Sequence, residues 1–140
     1  MRERISDRLN ITPARYHQVA KWAFLGLAII VLSGAAVRVT GSGLGCPDWP
    51  QCYKSGRLVA ESDLHAMIEF TNRLFSGLVV LAAVAAWLLS YVRQPYRRDL
   101  MWISLALPLG VVGQAVVGGL TVKYGLAPGW VMAHFLLSAL

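Results

Sequence analysis

The sequence predicts an all-α membrane protein, and three features of its 140 residues indicate this class. Hydrophobic residues make up 56% of the chain and charged residues only 14%, whereas soluble domains are about 25% charged. The charges lie in short segments between four uncharged runs, residues 22–37, 74–92, 100–122 and 124–140. A bilayer core about 30 Å thick needs about 20 helical residues, so runs of this length predict membrane helices.

We predict helices at about residues 22–39, 66–92, 100–121 and 129–140, after a tail at 1–21 and with an outer loop at 40–65. The fourth helix is short, because Gly125, Pro128 and Gly129 indicate a loop before it. A helix that ends inside lipid leaves its last carbonyls unpaired. The expected fold is therefore a four-helix transmembrane bundle with a truncated fourth helix, in an N-terminal fragment of a longer chain.

The distribution of charge predicts the orientation. The chain has 13 Lys and Arg against 7 Asp and Glu, but these basic residues are not gathered on one polar face as in a nucleic-acid-binding protein. They concentrate in the tail and at 93–98, whereas the acids of the outer loop balance its basic residues. The positive-inside rule then predicts a multi-pass protein of the cell membrane with a cytoplasmic N-terminus and the outer loop outside.

Both cysteines, Cys46 and Cys52, lie in the outer loop within the segment C-P-D-W-P-Q-C. An oxidising compartment permits a disulfide, and two prolines bend the chain towards ring closure. A structural disulfide is the expected state. A strained and reducible pair with a redox role is the alternative, whereas two cysteines alone do not complete a zinc site.

A polar stripe marks the outer end of the second helix. Its members share one broad helical face, and they are His65, Glu69, Asn72, Arg73 and Ser76. One interpretation is a solvated cap in which Glu69 and Arg73 form an i,i+4 ion pair. The other is a functional site that faces the interior of the bundle.

His134 lies inside the fourth apolar run, where an imidazole is costly without a partner. It could bond to a neighbouring helix. A neutral imidazole is also a natural axial ligand of haem iron, and helical bundles build such sites from facing helices. We expect His134 and Glu69 at the same depth on the outer side of the membrane.

Residues 37–52, 68–74, 114–122 and 134–136 closely resemble the N-terminal half of haem A synthases of the bacterial type, most specifically in the Cys-Pro-Asp-Trp-Pro-x-Cys loop. The resemblance implies that residues 1–140 are one four-helix half of an eight-helix protein. It also implies oxidation of a methyl group of haem O to the formyl group of haem A, for cytochrome oxidase assembly. The half alone is expected to be inactive.

The resemblance also implies roles for single residues. Glu69 matches the family's essential carboxylate, His134 the iron ligand of the fourth helix, and Cys46 and Cys52 the loop disulfide. Haem O is expected as the substrate in this half, and haem b as the cofactor of the other half. Where the family commonly has a second-helix His, this chain has Asn72.

Two consequences follow for the haem site. An amide is a poor iron ligand. Either the iron therefore keeps one open coordination position, or His65 replaces the missing histidine as a ligand. We favour the open position, because His65 lies two helical turns further towards the outside. Arg38 and Arg73 suit the haem propionates, or else they extend to lipid headgroups.

The predicted partners are haem O, the lipid bilayer, haem O synthase and an electron donor, with no nucleic acid. Two other functions remain open. One is a non-catalytic haem-binding or assembly subunit, and the other is a membrane thiol-disulfide oxidoreductase that uses Cys46 and Cys52.

Overall fold

The computed structural model describes residues 2–54 and 63–139, and this part of the chain forms five α-helices and no β-strand. The helices are α1 (Arg2–Leu9), α2 (Pro13–Val39), α3 (Leu64–Val92), α4 (Arg98–Lys123) and α5 (Pro128–Ser138). Among them, α2, α3 and α4 are long and apolar enough to cross a membrane. The prediction of an all-α membrane protein is confirmed.

The N-terminal segment is more helical than the tail predicted at residues 1–21. It contains α1, and α2 begins at Pro13 rather than near residue 22. Thr12 caps α2, because its Oγ1 accepts a hydrogen bond from the N–H of Arg15 at 3.3 Å. Proline is favoured in the first helical turn, where its missing N–H costs nothing. The sequence therefore carries an ordinary helix-start signal at Thr12-Pro13.

The other boundaries differ less from the predicted ones. Helix α3 begins at Leu64, with the Oδ1 of Asp63 accepting the N–H of Ala66 at 3.0 Å. Helix α5 spans 11 residues, too few to cross a bilayer. Within the predicted loop at 40–65, residues 55–62 lie outside the described residues, as does Leu140. The four-helix arrangement and its place in an eight-helix protein stay predictions.

The chain divides into two compact units. The first consists of Met1–Ala28 and Leu78–Val112. Small residues of α3 form its interior, since Ala83, Ala86 and Ser90 are fully buried. The hydroxyl of Ser104 donates to the Oγ of Ser90 at 2.8 Å. Small side chains and hydroxyl hydrogen bonds allow this close approach of membrane helices.

The second unit, Ile29–Gly77 and Gly113–Leu140, contains every predicted site residue. Helix α2 ends there in a left-handed glycine, Gly41 with φ of 69°, and the N–H of Ser42 returns to the carbonyl of Val37 at 2.9 Å. This is the usual glycine stop of a helix. It directs the chain into the loop that carries both cysteines.

Candidate functional site

The predicted disulfide forms. Cys46 and Cys52 are bonded, with 4.5 Å between their Cα atoms, and we call residues 46–52 the disulfide loop. The two cysteines are 0% and 1% exposed. Thiol–disulfide exchange needs access for an attacking thiolate. This burial favours a structural bridge over a thiol-disulfide oxidoreductase.

The backbone just before the disulfide loop lies directly on the first turn of α3. A Cβ at Gly45 would lie 2.4 Å from the carbonyl carbon of His65 and 2.6 Å from the N of Ala66. Both are backbone atoms and cannot rotate away. Glycine is therefore required at position 45 by the closeness of the two chain segments.

Glu69 and Arg73 form the predicted i,i+4 ion pair, but they do so in a buried position. Their side chains are only 6% and 14% exposed. The second oxygen of the carboxylate, Oε2, accepts the backbone N–H of Cys46 at 2.8 Å. The ion pair is therefore confirmed, but it is not solvated as the cap interpretation expects.

Arg73 also binds the disulfide loop. Its Nη1 donates to three backbone carbonyls, those of Asp48 at 2.6 Å, Gln51 at 3.2 Å and Pro50 at 3.3 Å. Because Nη1 carries only two N–H groups, at least one of them is shared between two of these carbonyls. The cluster thus consists of one carboxylate, one guanidinium and the backbone of the loop. Its cation is already engaged with protein oxygens.

The other polar residues of the stripe have separate partners. Asn72 donates from Nδ2 to the Oγ of Ser33 on α2 at 2.8 Å. His65 is exposed, and its Nδ1 lies 2.9 Å from the Oγ of Ser42. The spacing of residues within the stripe does not predict either hydrogen-bond partner, because Ser33 and Ser42 are 39 and 23 residues away in sequence.

The ring of His134 packs on a glycine of α4. A Cβ at Gly118 would lie 3.2 Å from Cε1 and 3.5 Å from Nε2 of the imidazole. The Nδ1 of His134 is buried without a hydrogen-bond partner among the described residues, and the same holds for Oε1 of Gln114. A buried polar atom without a partner costs about 1–3 kcal/mol. This imidazole therefore retains unused binding capacity.

The next glycine of α4 receives a second ring. A Cβ at Gly119 would lie 3.1–3.3 Å from three atoms of the Trp49 indole, which belongs to the disulfide loop. A cavity of about 380 Å³ adjoins this contact. It is lined by Pro47, Asp48, Trp49, Val116, Gly119, Leu120, Val122 and Lys123.

The structure brings together part of the predicted site. Glu69, Arg73, Cys46 and Cys52 form one cluster. Arg38 is exposed in the last turn of α2 and, in the part of the chain that is described, has no ion pair. His134 forms no hydrogen bond with Glu69 or Arg73 within residues 2–54 and 63–139. The roles of Gly45, Trp49 and Gly118 were not predicted from the sequence; for Gly118, the pair of adjacent glycines in an apolar helix was the available signal.

Residues 19–67 and 57–140 match a family described as COX15-CtaA, cytochrome oxidase assembly protein. The chain belongs to this family. Among its relatives is the protein named "Heme A synthase" of Alkalihalophilus pseudofirmus, which is 30% identical over 122 residues. Proteins of the same name from Lysinibacillus sphaericus and Bacillus cereus are 28% and 32% identical over 130 and 116 residues.

These alignments cover most of this chain but a minority of each relative. They include 83%, 89% and 81% of the chain and 39%, 42% and 37% of the three relatives, in the same order. The chain thus spans about two fifths of the length of the curated relatives it matches. No solved structure matches it.

Proposed function

We propose that this chain belongs to a haem A synthase, a membrane enzyme that oxidises a methyl group of haem O to the formyl group of haem A for cytochrome oxidase assembly. Family membership and the relatives named "Heme A synthase" support this proposal. The observation that carries it is the imidazole of His134, which packs on Gly118 and has a buried nitrogen without a partner.

The His134 site fits a haem ligand by its chemistry. An imidazole nitrogen binds haem iron well, and the absence of a side chain at Gly118 leaves the space that the His134 ring itself occupies. When bound, an iron porphyrin supplies the redox capacity that side chains lack. We propose that His134 is an iron ligand for haem O in this half, and that haem b is held by the remainder of the protein.

Asn72 is a poor replacement ligand, because an amide binds iron weakly beside an imidazole, and its Nδ2 holds the side chain to Ser33 on α2. His65 is bonded to Ser42 and exposed. These contacts favour the proposal that the iron keeps one open position over the proposal that His65 binds it.

The two arginines have different proposed partners: Arg73 binds the disulfide loop, and Arg38 binds the substrate. Arg73 is bonded to Glu69 and to three loop carbonyls, so binding a propionate would cost it existing partners. Arg38 is exposed at the end of α2 and is the better candidate for a propionate. The proposed arrangement has the loop outside and the N-terminus in the cytoplasm, with haem O synthase and an electron donor as partners.

Glu69 is the carboxylate on which the proposed reaction depends, either directly, by accepting a proton or stabilising developing positive charge, or through the groups to which it is bonded. Each of its oxygens has a partner, the N–H of Cys46 and the guanidinium of Arg73. A proton-accepting role therefore requires one partner to move. The same engagement favours a second candidate function, a haem-binding assembly subunit in which Glu69 has no chemical role.

Haem analysis distinguishes the two functions. The full-length protein is expressed with haem O synthase in cells that make no haem A, and the haems are extracted and separated by chromatography. The proposal predicts haem A with the native protein and only haem O with Glu69→Gln, which still binds haem. Bound haem without any haem A from the native protein would refute the enzyme and support the assembly subunit.

A further inference from the structure

The disulfide loop is fixed to α3 by charged groups as well as by its own covalent bridge. On one side, Oε2 of Glu69 accepts the N–H of Cys46 at 2.8 Å. On the other side, Arg73 donates to the carbonyls of Asp48, Pro50 and Gln51. The ion pair between Glu69 and Arg73 joins the two sides. We call these two residues the clamp.

The clamp provides hydrogen-bond partners for backbone groups of the loop. In helices and sheets, other backbone groups provide these partners. The bonds to the N–H of Cys46 and the carbonyl of Asp48 are buried or partly buried, where an unpaired group is costly, whereas the bonds to Pro50 and Gln51 are exposed. Hydrogen bonds to charged groups are stronger than neutral ones. The clamp therefore determines where the loop lies on α3, and the required glycine at position 45 shows how closely it lies there.

The opposite side of the loop contacts α4 through Trp49. The indole packs on Gly119 and is 48% exposed, so part of its surface borders the adjoining cavity. Gly118, the preceding residue, receives the ring of His134. Two aromatic rings thus lie on consecutive glycines of α4, one from the loop and one from α5. Consecutive helix residues lie about 100° apart around the axis, so the two rings occupy adjacent faces of α4, and a shift of the loop moves the indole on one of these faces.

We propose that Glu69 and Arg73 are positioning residues, which place Trp49 on α4, one residue from the glycine that receives His134, by holding the disulfide loop on α3. Glu69 then affects the reaction through the loop and does not contact the reacting methyl group. The positioning of the loop stands on the contacts alone, whereas its effect on the reaction rests on the function proposed above.

Protection of the disulfide tests the positioning. The full-length protein in detergent is treated with a phosphine reductant, and freed thiols are counted by the gel shift from a polyethylene glycol maleimide. The native bridge is buried and should be reduced slowly. Arg73→Ala should accelerate reduction about tenfold or more, because it removes several charge-assisted hydrogen bonds. Arg73→Lys should give an intermediate rate, since an ammonium keeps three donors.

Lys54→Ala is the matched control. Lys54 pairs with Asp48 at 3.4 Å on the same segment, but its side chain is 88% exposed, and exposed ion pairs contribute little. Its reduction rate should equal that of the native protein. Native-like rates in Arg73→Lys and Arg73→Ala, or an equal acceleration in Lys54→Ala, would overturn the clamp.

Haem A formation, measured in the same variants, tests the role of Glu69. If Glu69 acts through the loop, Glu69→Gln loses haem A and disulfide protection together, and Trp49→Leu loses haem A while the bridge stays protected. Loss of haem A in Glu69→Gln with native protection would overturn the positioning role of Glu69. Full activity of Trp49→Leu would overturn the step through Trp49. If the native protein makes no haem A, the proposed function fails, and the reduction rates still decide the clamp.

Discussion

Gly45→Ala should detach the disulfide loop from α3. The added methyl carbon would lie 2.4–2.6 Å from three backbone atoms of His65 and Ala66, whereas carbon atoms in contact are normally about 3.5–4.0 Å apart. The loop must therefore move by about 1 Å. No left-handed backbone is involved at this position, so the whole effect comes from the overlap.

The displacement breaks a specific contact. The N–H of Cys46, the next residue, donates to Oε2 of Glu69 at 2.8 Å, and a shift of this size takes it beyond hydrogen-bonding distance. A hydrogen bond to a charged group contributes about 1.5–3 kcal/mol. We expect Gly45→Ala to lower the free energy of unfolding by about that amount. Equilibrium unfolding in mixed micelles measures it.

Gly43→Ala is the matched control in the same segment. A Cβ at Gly43 would meet only the Leu126 side chain, at 3.1–3.9 Å. This side chain can rotate by a few tenths of an ångström, so we expect a loss of less than about 1 kcal/mol. Equal stability of the two variants would refute the close approach of loop and helix on which the clamp depends.

Three further predictions concern the haem site and the topology. Gly118→Ala should shift the visible bands of bound haem, because a Cβ 3.2 Å from Cε1 of His134 forces the ring to move. Unchanged bands would show that Gly118 does not position the iron ligand. Asn72→His should add a second imidazole and abolish carbon monoxide binding to the reduced protein, and retained binding would contradict an open position next to residue 72. Reporter fusions at Lys54 and Tyr96 should give opposite sides, with Lys54 outside; a cytoplasmic Lys54 would reverse the orientation.

Local signals explain what the sequence predicted well. Three spanning helices follow from uncharged runs of sufficient length, and the disulfide follows from two cysteines six residues apart with prolines between them. The ion pair of Glu69 and Arg73 follows from helical spacing. Each of these features depends on residues that are near one another in sequence.

The burial of that ion pair could not be predicted in the same way. It depends on the disulfide loop lying on α3, and the contacts that achieve this join residues 22–25 positions apart. The partner of Asn72 is 39 residues away. A polar stripe on a helix shows which residues share a face, but it does not show what covers that face. The start of α2 at Pro13 had a local signal in Thr12-Pro13, but the charged residues on both sides of it predicted a polar tail instead.

The visible spectrum of His134→Ala tests whether this histidine is the iron ligand. The native full-length protein, His134→Ala and the control His65→Ala are purified from cells that supply haem O, and haem content and absorption bands are recorded. The account predicts that His134→Ala loses or alters the haem of this half, because it removes an axial ligand. We also expect a native spectrum for His65→Ala, because His65 is exposed and its imidazole is bonded to Ser42. A native spectrum in His134→Ala would contradict the account.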